Sequence, residues 1–182
     1  MTTLHILSSP HNIVHPINRV DPFSMIVFKY IRYMTRLGWQ CVHYAVEGSQ
    51  TDCETVACLS GSVADYNERV KQYNQTAAKE IAMRKQQGDF VLCFYGNENQ
   101  GAADYNKDLK AIEPSIGYRT EAVFAPYRVF VSYAQMHYYY GSQNMLMTPN
   151  WFDDVIFNPI TPKEFEYTED KDDYILYFGR VV

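Results

Sequence analysis

The sequence predicts an α/β fold with a mostly parallel sheet flanked by helices, because short apolar runs alternate with longer amphipathic segments. The first apolar run, residues 4–7, precedes a turn-rich loop and a helix that begins at Asp21-Pro22. Asp is a favoured N-cap, and Pro is favoured in the first helical turn. Gly38 ends this helix, and residues 40–45 form the next strand. The chain therefore opens with a βαβ unit, whose strands are parallel.

The rest of the chain continues this alternation of strands and helices. Its clearest buried strand is at residues 90–95, an uninterrupted apolar run bounded by Gly88-Asp89 and Gly96. The other predicted elements are a short strand at 55–59, a long helix at 63–87, a helix at 102–112, a strand leading into a loop at 114–118 and an aromatic helix at 127–140. Residues 145–148 and 154–157 form either two further short strands or one strand interrupted at Pro149-Asn150.

The C-terminal segment changes character. Charged residues replace the apolar periodicity at 165–173, and a continuous apolar run follows at 174–182. We predict a Rossmann-like domain over residues 1–165, followed at 166–182 by a linker and the first strand of a truncated second domain. An unpaired strand of high β-propensity is prone to associate, so we expect possible self-association through residues 174–182.

Composition narrows the class of protein. The chain has 182 residues, of which 47% are hydrophobic and 20% charged, as in globular domains. The net charge is −5 with no block of Lys or Arg, so nucleic-acid binding is not indicated. No run approaches the ~20 apolar residues of a membrane span, and no signal peptide is recognised, so we expect a cytoplasmic protein with reduced cysteines. The cysteines lack metal-site spacing, and no metal is predicted.

Candidate binding residues follow from a positional rule. In open α/β sheets, ligands bind beyond the carboxyl ends of the strands. The abundance of Tyr, 16 in all, suits the half-buried walls of such a cleft. The residues that this rule and their chemistry select are Pro10, His11, Glu47, Asn97, Glu98, Gly117, Tyr118, Arg119 and, from the following segment, Arg128.

Each loop leaves two interpretations open. The loop with Pro10 and His11 lacks the G-x-G-x-x-G of dinucleotide folds, and is either an anion site at a helix N-terminus or an ordinary turn. Residues 96–101 offer amides and carboxylates to a hydroxyl-rich ligand, with Glu98 as a possible general base, or form a solvated turn. Arg119 and Arg128 either pin a phosphate or carboxylate or form surface ion pairs. Catalytic residues stay unassigned.

Several of these segments together resemble group 1, family-four-like glycosyltransferases of a microbial and phage-associated branch. The likeness covers nearly the whole chain and departs from the family at Phe157, where relatives usually have Pro. The segments that carry it are Pro10-His11, His43-Tyr44, Glu47-Gly48-Ser49, Gly117-Tyr118, residues 123–137 with Ala125-Pro126-Tyr127-Arg128, Trp151-Phe152-Asp153-Asp154, Asn158-Pro159 and residues 172–180.

The resemblance implies a GT-B architecture, in which two Rossmann-like domains face each other across a cleft. This chain would be the N-terminal, acceptor-side half of a retaining, metal-independent enzyme. Its partners would be an unknown acceptor and a nucleotide sugar, which is a substrate and not a bound cofactor. Pro10 and His11 would approach the donor phosphates, and Gly117, Tyr118 and Arg119 would contact the acceptor or act in catalysis.

By the same resemblance, the donor-binding motifs are absent from these residues, so the isolated chain would be inactive as a transferase. Two alternatives remain. One is a non-catalytic α/β module that binds a glycan or a protein. The other is a flavodoxin-like domain with unrelated chemistry, against which the absence of a phosphate-cradling first loop argues.

Overall fold

The computed structural model describes residues 2–17, 21–61, 63–145, 150–160, 169–170 and 173. In chain order the elements are β1 (Thr3–Leu7), α1 (Pro22–Arg36), β2 (Gln40–Val46), β3 (Glu54–Leu59), α2 (Tyr66–Arg84), β4 (Phe90–Cys93), a 3₁₀ turn (Gly96–Asn99), α3 (Gln100–Tyr105), β5 (Lys110–Ile116), a second 3₁₀ turn (Thr120–Ala122), β6 (Tyr127–Phe130), α4 (Tyr133–Ser142) and β7 (Asp153–Val155).

The strands form one seven-stranded sheet in the order β3-β2-β1-β4-β5-β6-β7. Every neighbouring pair is parallel. The chain order reverses between β1 and β4, which makes the carboxyl ends of these two strands the topological switch point where ligands bind in such sheets. The predicted α/β Rossmann-like fold is confirmed.

The sheet is buried on both faces because successive strand residues point to opposite sides. In β4, Val91 packs in the cluster that includes Tyr73 and Ile81 of α2. Leu92, the next residue, packs instead with Ile31 of α1 on the other face. Helices therefore cover both faces, which explains why these strands appear in the sequence as continuous apolar runs.

The first βαβ unit forms as the sequence predicts. The Asp21 side chain accepts a hydrogen bond of 2.9 Å from the Ser24 N–H, and Pro22 is the first residue of α1. Gly38 follows the helix at φ +85°, in the left-handed region that a glycine adopts without strain. β2 then pairs in parallel with β1. Local capping signals were sufficient to define this helix.

The predicted helix at 102–112 is wrong beyond Tyr105. The Asn106 amide donates to the carbonyl oxygens of Ala102 and Ala78, and the chain then enters β5, where Lys110 pairs with Phe90. β5 accommodates a proline because its register shifts between Glu113 and Ile116. Pairing with β4 at the sheet centre overrides the local helical preference.

The predicted helix at 127–140 is wrong over its first turn. Residues Tyr127–Phe130 form β6, in which Arg128 and Phe130 are buried and their neighbours are only partly so. This alternation is typical of a strand, and β6 pairs with both β5 and β7. The helix begins only at Tyr133. Ser132 caps it, because its hydroxyl oxygen accepts a hydrogen bond of 3.1 Å from the Gln135 N–H.

Other boundaries moved by a few residues. The helix predicted at 63–87 is Tyr66–Arg84, the strand predicted at 90–95 ends at Cys93, and the strand predicted at 154–157 is Asp153–Val155. The predicted strand at 145–148, the domain boundary and the strand at 174–182 lie almost wholly outside the described residues. Within the described ranges, no helix is long and apolar enough to cross a membrane.

Candidate functional site

The loops after β1 and β4 lie side by side at the switch point. Asn99, which is fully buried, joins them. Its side-chain amide donates to the Ser8 carbonyl oxygen at 3.0 Å, and its side-chain oxygen accepts from the Tyr95 N–H at 2.8 Å. The loop that carries His11 is thereby held against the 3₁₀ turn that carries Glu98.

His11, Glu98 and Tyr66 form a polar cluster across these loops. His11 Nε2 lies 2.7 Å from a Glu98 carboxylate oxygen, and the Tyr66 hydroxyl donates to the other oxygen. The His11 and Tyr66 rings stack with centroids 4.4 Å apart. The hydrogen bond to Glu98, with a smaller effect of burial, raises the pKa of Tyr66 to about 12.

The hydrogen bond to Glu98 orients the His11 ring. A carboxylate oxygen accepts, so Nε2 is the donor in this bond. In the neutral form of the ring, Nδ1 is then the nitrogen with a free lone pair. The His11 and Glu98 side chains are 17% and 18% exposed, so the pair is reachable from solvent although mostly enclosed.

A cavity of about 320 Å³ adjoins the cluster through Glu98. Phe23 meets the Tyr95 ring edge-on at 5.3 Å between centroids, and the Tyr118 ring lies 6.4 Å from Phe23. Aromatic faces thus form the walls, and an amide, a carboxylate and a guanidinium supply polar groups. The cavity is lined by Phe23, Tyr95, Asn97, Glu98, Tyr118, Arg119 and Ala122.

Gly96 permits the β5–β6 connection to close this cavity. It adopts φ +56°, and a Cβ there would lie 2.7 Å from the Ala122 carbonyl oxygen and 3.0 Å from the Tyr118 ring. A side chain at this position would be both strained and in collision. The close approach of Gly96 to Ala122 brings Tyr118 and Arg119 to the end of β4.

Glu113 anchors the same connection from beneath. It is fully buried in β5 and accepts from the Tyr118 hydroxyl at 2.6 Å. It also accepts the N–H groups of Phe124 and Ala125 at 3.1 and 2.8 Å. Burial raises the pKa of Glu113, although the Tyr118 hydroxyl and the two N–H groups act in the opposite direction. These bonds fix the orientation of the Tyr118 ring in the cavity wall.

The structure brings most of the predicted residues together. His11, Asn97, Glu98, Tyr118 and Arg119 belong to the cluster or the cavity. Pro10 is buried next to His11 in the β1 loop, and Gly117 is exposed directly before Tyr118. Gly117 lies against Val131, since a Cβ there would come within 3.1 Å of it.

Glu47 lies apart from this group. It is exposed at the end of β2, and its backbone N–H donates to the Leu59 carbonyl oxygen at 2.9 Å. The β2 loop instead packs on Val14, whose N–H donates to the Ser49 hydroxyl at 3.0 Å. No recorded contact among the described residues joins Glu47 to the cluster.

Arg128 is also separated from the cavity. It is buried in β6, where its Nε donates to Asp153 at 2.8 Å and its Nη1 to the Tyr139 hydroxyl at 2.6 Å. Asp153 accepts a further bond of 2.9 Å from Tyr140. Arg128 therefore ties β6 to β7 and α4, and the two-arginine anion clamp considered for Arg119 and Arg128 does not form.

Sequence reasoning missed Phe23, Tyr66 and Tyr95. Phe23 and Tyr66 lie in the first turns of α1 and α2, and Tyr95 lies just after β4. Helices that follow parallel strands begin at the same edge of the sheet where the strands end. Inspecting the first helical turn as well as the loop would have found both aromatic residues.

The comparisons with known proteins support the fold alone. Neither a protein-family model nor a curated protein matches the chain. Among solved structures, it is similar to MurG of Acinetobacter baumannii, with a TM-score of 0.56 over 94% of this chain and 8% identity. The chain has a GT-B glycosyltransferase-like fold. It spans 50% of the length of MurG.

Proposed function

We propose that this chain is the N-terminal, acceptor-side domain of a glycosyltransferase that moves a sugar from a nucleotide-sugar donor to a hydroxyl group of an acceptor. One observation carries the proposal: the His11–Glu98–Tyr66 cluster borders an aromatic-walled cavity at the switch point of a GT-B-like sheet. Membership of group 1, a retaining outcome and a cytoplasmic location are further parts of the proposal, and they derive from the sequence.

The lining of the cavity suits a sugar acceptor. Aromatic rings such as Phe23 and Tyr95 offer apolar faces to the C–H faces of a pyranose ring. Asn97, Glu98 and Arg119 offer donors and acceptors to its hydroxyl groups. A few convergent polar groups within apolar walls are the usual composition of a small-molecule site.

The His11–Glu98 pair has the chemistry of a general base. For a retaining outcome, the acceptor oxygen bonds to the anomeric carbon on the face from which the leaving phosphate oxygen departs, as the bond from that carbon to the phosphate oxygen breaks and the acceptor hydroxyl loses a proton. The neutral imidazole, oriented by Glu98, receives that proton, and the carboxylate then stabilises the imidazolium. The remainder of the enzyme supplies the donor site, with Pro10 and His11 facing the donor phosphates across the cleft.

The first test is glycan binding without a donor. We expect the chain to retain a subset of glycans on a printed array, with Glu98→Gln weakening the retained ones about tenfold or more because a charged hydrogen-bond acceptor is lost. Glu47→Gln is the matched control. It changes an exposed glutamate at the neighbouring strand end, and we expect it to leave binding unchanged.

The outcomes separate the candidate functions. Retention of no glycan would overturn the proposal. Glycan binding that Glu98→Gln does not alter would place the acceptor elsewhere on the chain. Binding that persists while a longer form of the protein transfers no sugar would favour the non-catalytic glycan-binding module.

A further inference from the structure

We propose, resting on the function proposed above, that the acceptor is an extended, hydroxyl-rich glycan chain that lies along the groove between α2 and α3. The glycan would present its terminal sugar to the cavity beside His11 and Glu98, and its preceding sugars would occupy the groove. The substrate class is thus an oligosaccharide or polysaccharide, in contrast to a monosaccharide or an acceptor held by an apolar lipid tail.

The first support is continuity between the two spaces. The groove encloses about 890 Å³, against about 320 Å³ for the cavity. Asn97 and Glu98 line both of them. The two spaces therefore meet at Asn97 and Glu98, and a ligand whose end reaches the cavity has the groove directly beside it.

The second support is the chemistry of the groove walls. Tyr66 and Tyr105 are 55% and 64% exposed. The same walls carry amides and an ammonium group, from Asn67, Gln75 and Lys79. Exposed aromatic faces together with amides suit stacked, hydrogen-bonded sugars, whereas a lipid tail would require continuous apolar walls.

The third support is that the groove is built rigidly. The Asn74 side chain donates to the Glu98 carbonyl oxygen at 2.6 Å and accepts from the Ala102 N–H at 2.8 Å. The Asn106 amide donates to the Ala78 carbonyl oxygen at 3.1 Å. At Gly101, a Cβ would approach Asn74 to 3.2 Å, so a small residue lets the two helices pack closely. Such a preformed surface loses little entropy on binding.

The length of the groove supports a chain over a single sugar. Tyr66 and Lys79, at its two ends on α2, are separated by about 20 Å at the helical rise of 1.5 Å per residue. Its charges are mixed: Lys71, which pairs with Glu68 at 3.3 Å, and Lys79 lie in the groove, and Glu98 lies at the cavity end. A neutral or weakly charged glycan fits this surface better than a polyanion.

The test measures how affinity depends on glycan length. Each glycan retained on an array of linear mono- to hexasaccharides is titrated as a truncation series against the 182-residue chain by calorimetry. We expect affinity to increase with glycan length. Tyr105→Ala should lower the affinity for the long glycans about threefold to tenfold and leave that for the short ones unchanged. Tyr105→Phe, which keeps the ring, should restore it.

Tyr138→Ala is the matched control. Tyr138 is 64% exposed, as Tyr105 is, but it lines a third space, which adjoins the cavity at Asn97, Arg119 and Ala122 and includes no residue of α2 or α3. We expect this variant to bind the whole series as the wild type does, and both variants to unfold at the wild-type temperature.

The results distinguish this inference from the function on which it rests. The groove assignment would be overturned if short and long glycans bound with equal affinity, if Tyr105→Ala left that affinity unchanged, and if Glu98→Gln lowered it. The proposed function would then remain intact. If Tyr138→Ala reduced the dependence of affinity on glycan length and Tyr105→Ala did not, the glycan would lie in the space beside Tyr138. That result would also overturn the groove assignment. Absence of any glycan binding would overturn the proposed function itself.

Discussion

At the scale of single residues, Arg119 and Arg128 show how burial separates identical side chains. Arg119 is exposed and lines the cavity. Arg128 is 7% exposed, and its partner carboxylate on Asp153 is fully enclosed. In the sequence both follow β5 among aromatic residues, so composition alone could not tell an exposed arginine at a cavity from a buried one in an ion pair.

We predict that Arg128→Leu lowers the free energy of unfolding by about 3–5 kcal/mol, because it leaves the buried Asp153 without its cation. Arg119→Leu, the matched control, should change it by no more than about 0.5 kcal/mol, as is usual for exposed positions. Urea denaturation followed by circular dichroism measures both. Equal losses in the two variants would contradict the assigned roles.

His43 is a second residue whose burial determines its effect, in this case on stability at low pH. Both ring nitrogens are buried, and neither has a hydrogen-bond partner among the described residues. Burial lowers the pKa of His43 to about 3. The unfolded chain, with its histidine near the ordinary value of 6.5, therefore binds more protons between these two pH values. Stability is lost as the pH falls through this window.

We predict that His43→Leu reduces this loss. Each unit of pKa shift corresponds to about 1.4 kcal/mol, and the unfolded histidine is already half protonated at pH 6.5, so between pH 6.5 and pH 5 the wild type should lose about 1.6 kcal/mol more than the variant. Urea denaturation at the two pH values gives the difference, and the exposed His137→Leu is the matched control. Parallel losses in the wild type and His43→Leu would show that other groups, such as the buried His5, dominate acid sensitivity.

At the scale of elements, the site depends on how closely the turn after β4 meets the β5–β6 connection. Gly96 and Gly141 make a contrasting pair. Gly96 has a positive φ and no room for a Cβ, whereas Gly141 lies within α4 with open space around it. Replacing glycine by alanine should therefore lower the stability of the protein at position 96 and raise it at position 141.

We predict that Gly96→Ala destabilises the chain by roughly 1–3 kcal/mol and weakens glycan binding, since the strained backbone and the contact with Ala122 displace the cavity wall. Gly141→Ala should stabilise it by about 0.5–1 kcal/mol, because alanine restricts the unfolded chain and favours a helix. Thermal unfolding and the array measure these effects. A Gly96→Ala protein with wild-type stability would refute the close approach.

The elements also show where sequence patterns are insufficient. Capping residues defined α1, and continuous apolar runs defined β1, β2 and β4. The first residues of β5, 110–112, and the whole of β6, 127–130, were assigned to helices because each lies next to a helix along the chain. Their conformation comes from pairing with neighbouring strands, in which Lys110 meets Phe90 and Arg128 meets Asp153.

At the scale of the whole molecule, the proposed cleft requires a second wall. In the GT-B architecture implied by the resemblance, the donor is held by the facing domain, and this chain spans 50% of the length of MurG. We predict that the 182-residue chain transfers no sugar from UDP- or GDP-sugars to any glycan that it binds. Release of the nucleoside diphosphate, assayed beside an active glycosyltransferase, is the measurement. Turnover above background would contradict this prediction.

The sequence by itself determined the α/β class, the parallel βαβ opening, the edge of the sheet where the candidate site lies, and the loops with His11, Asn97, Glu98, Tyr118 and Arg119. These follow from local signals, namely apolar runs, caps and the positional rule for open sheets. The tertiary structure alone decided which polar groups pair: His11 with Glu98 and Tyr66, and Arg128 with Asp153. Pairing and burial depend on contacts between residues far apart in the chain, which no local pattern contains.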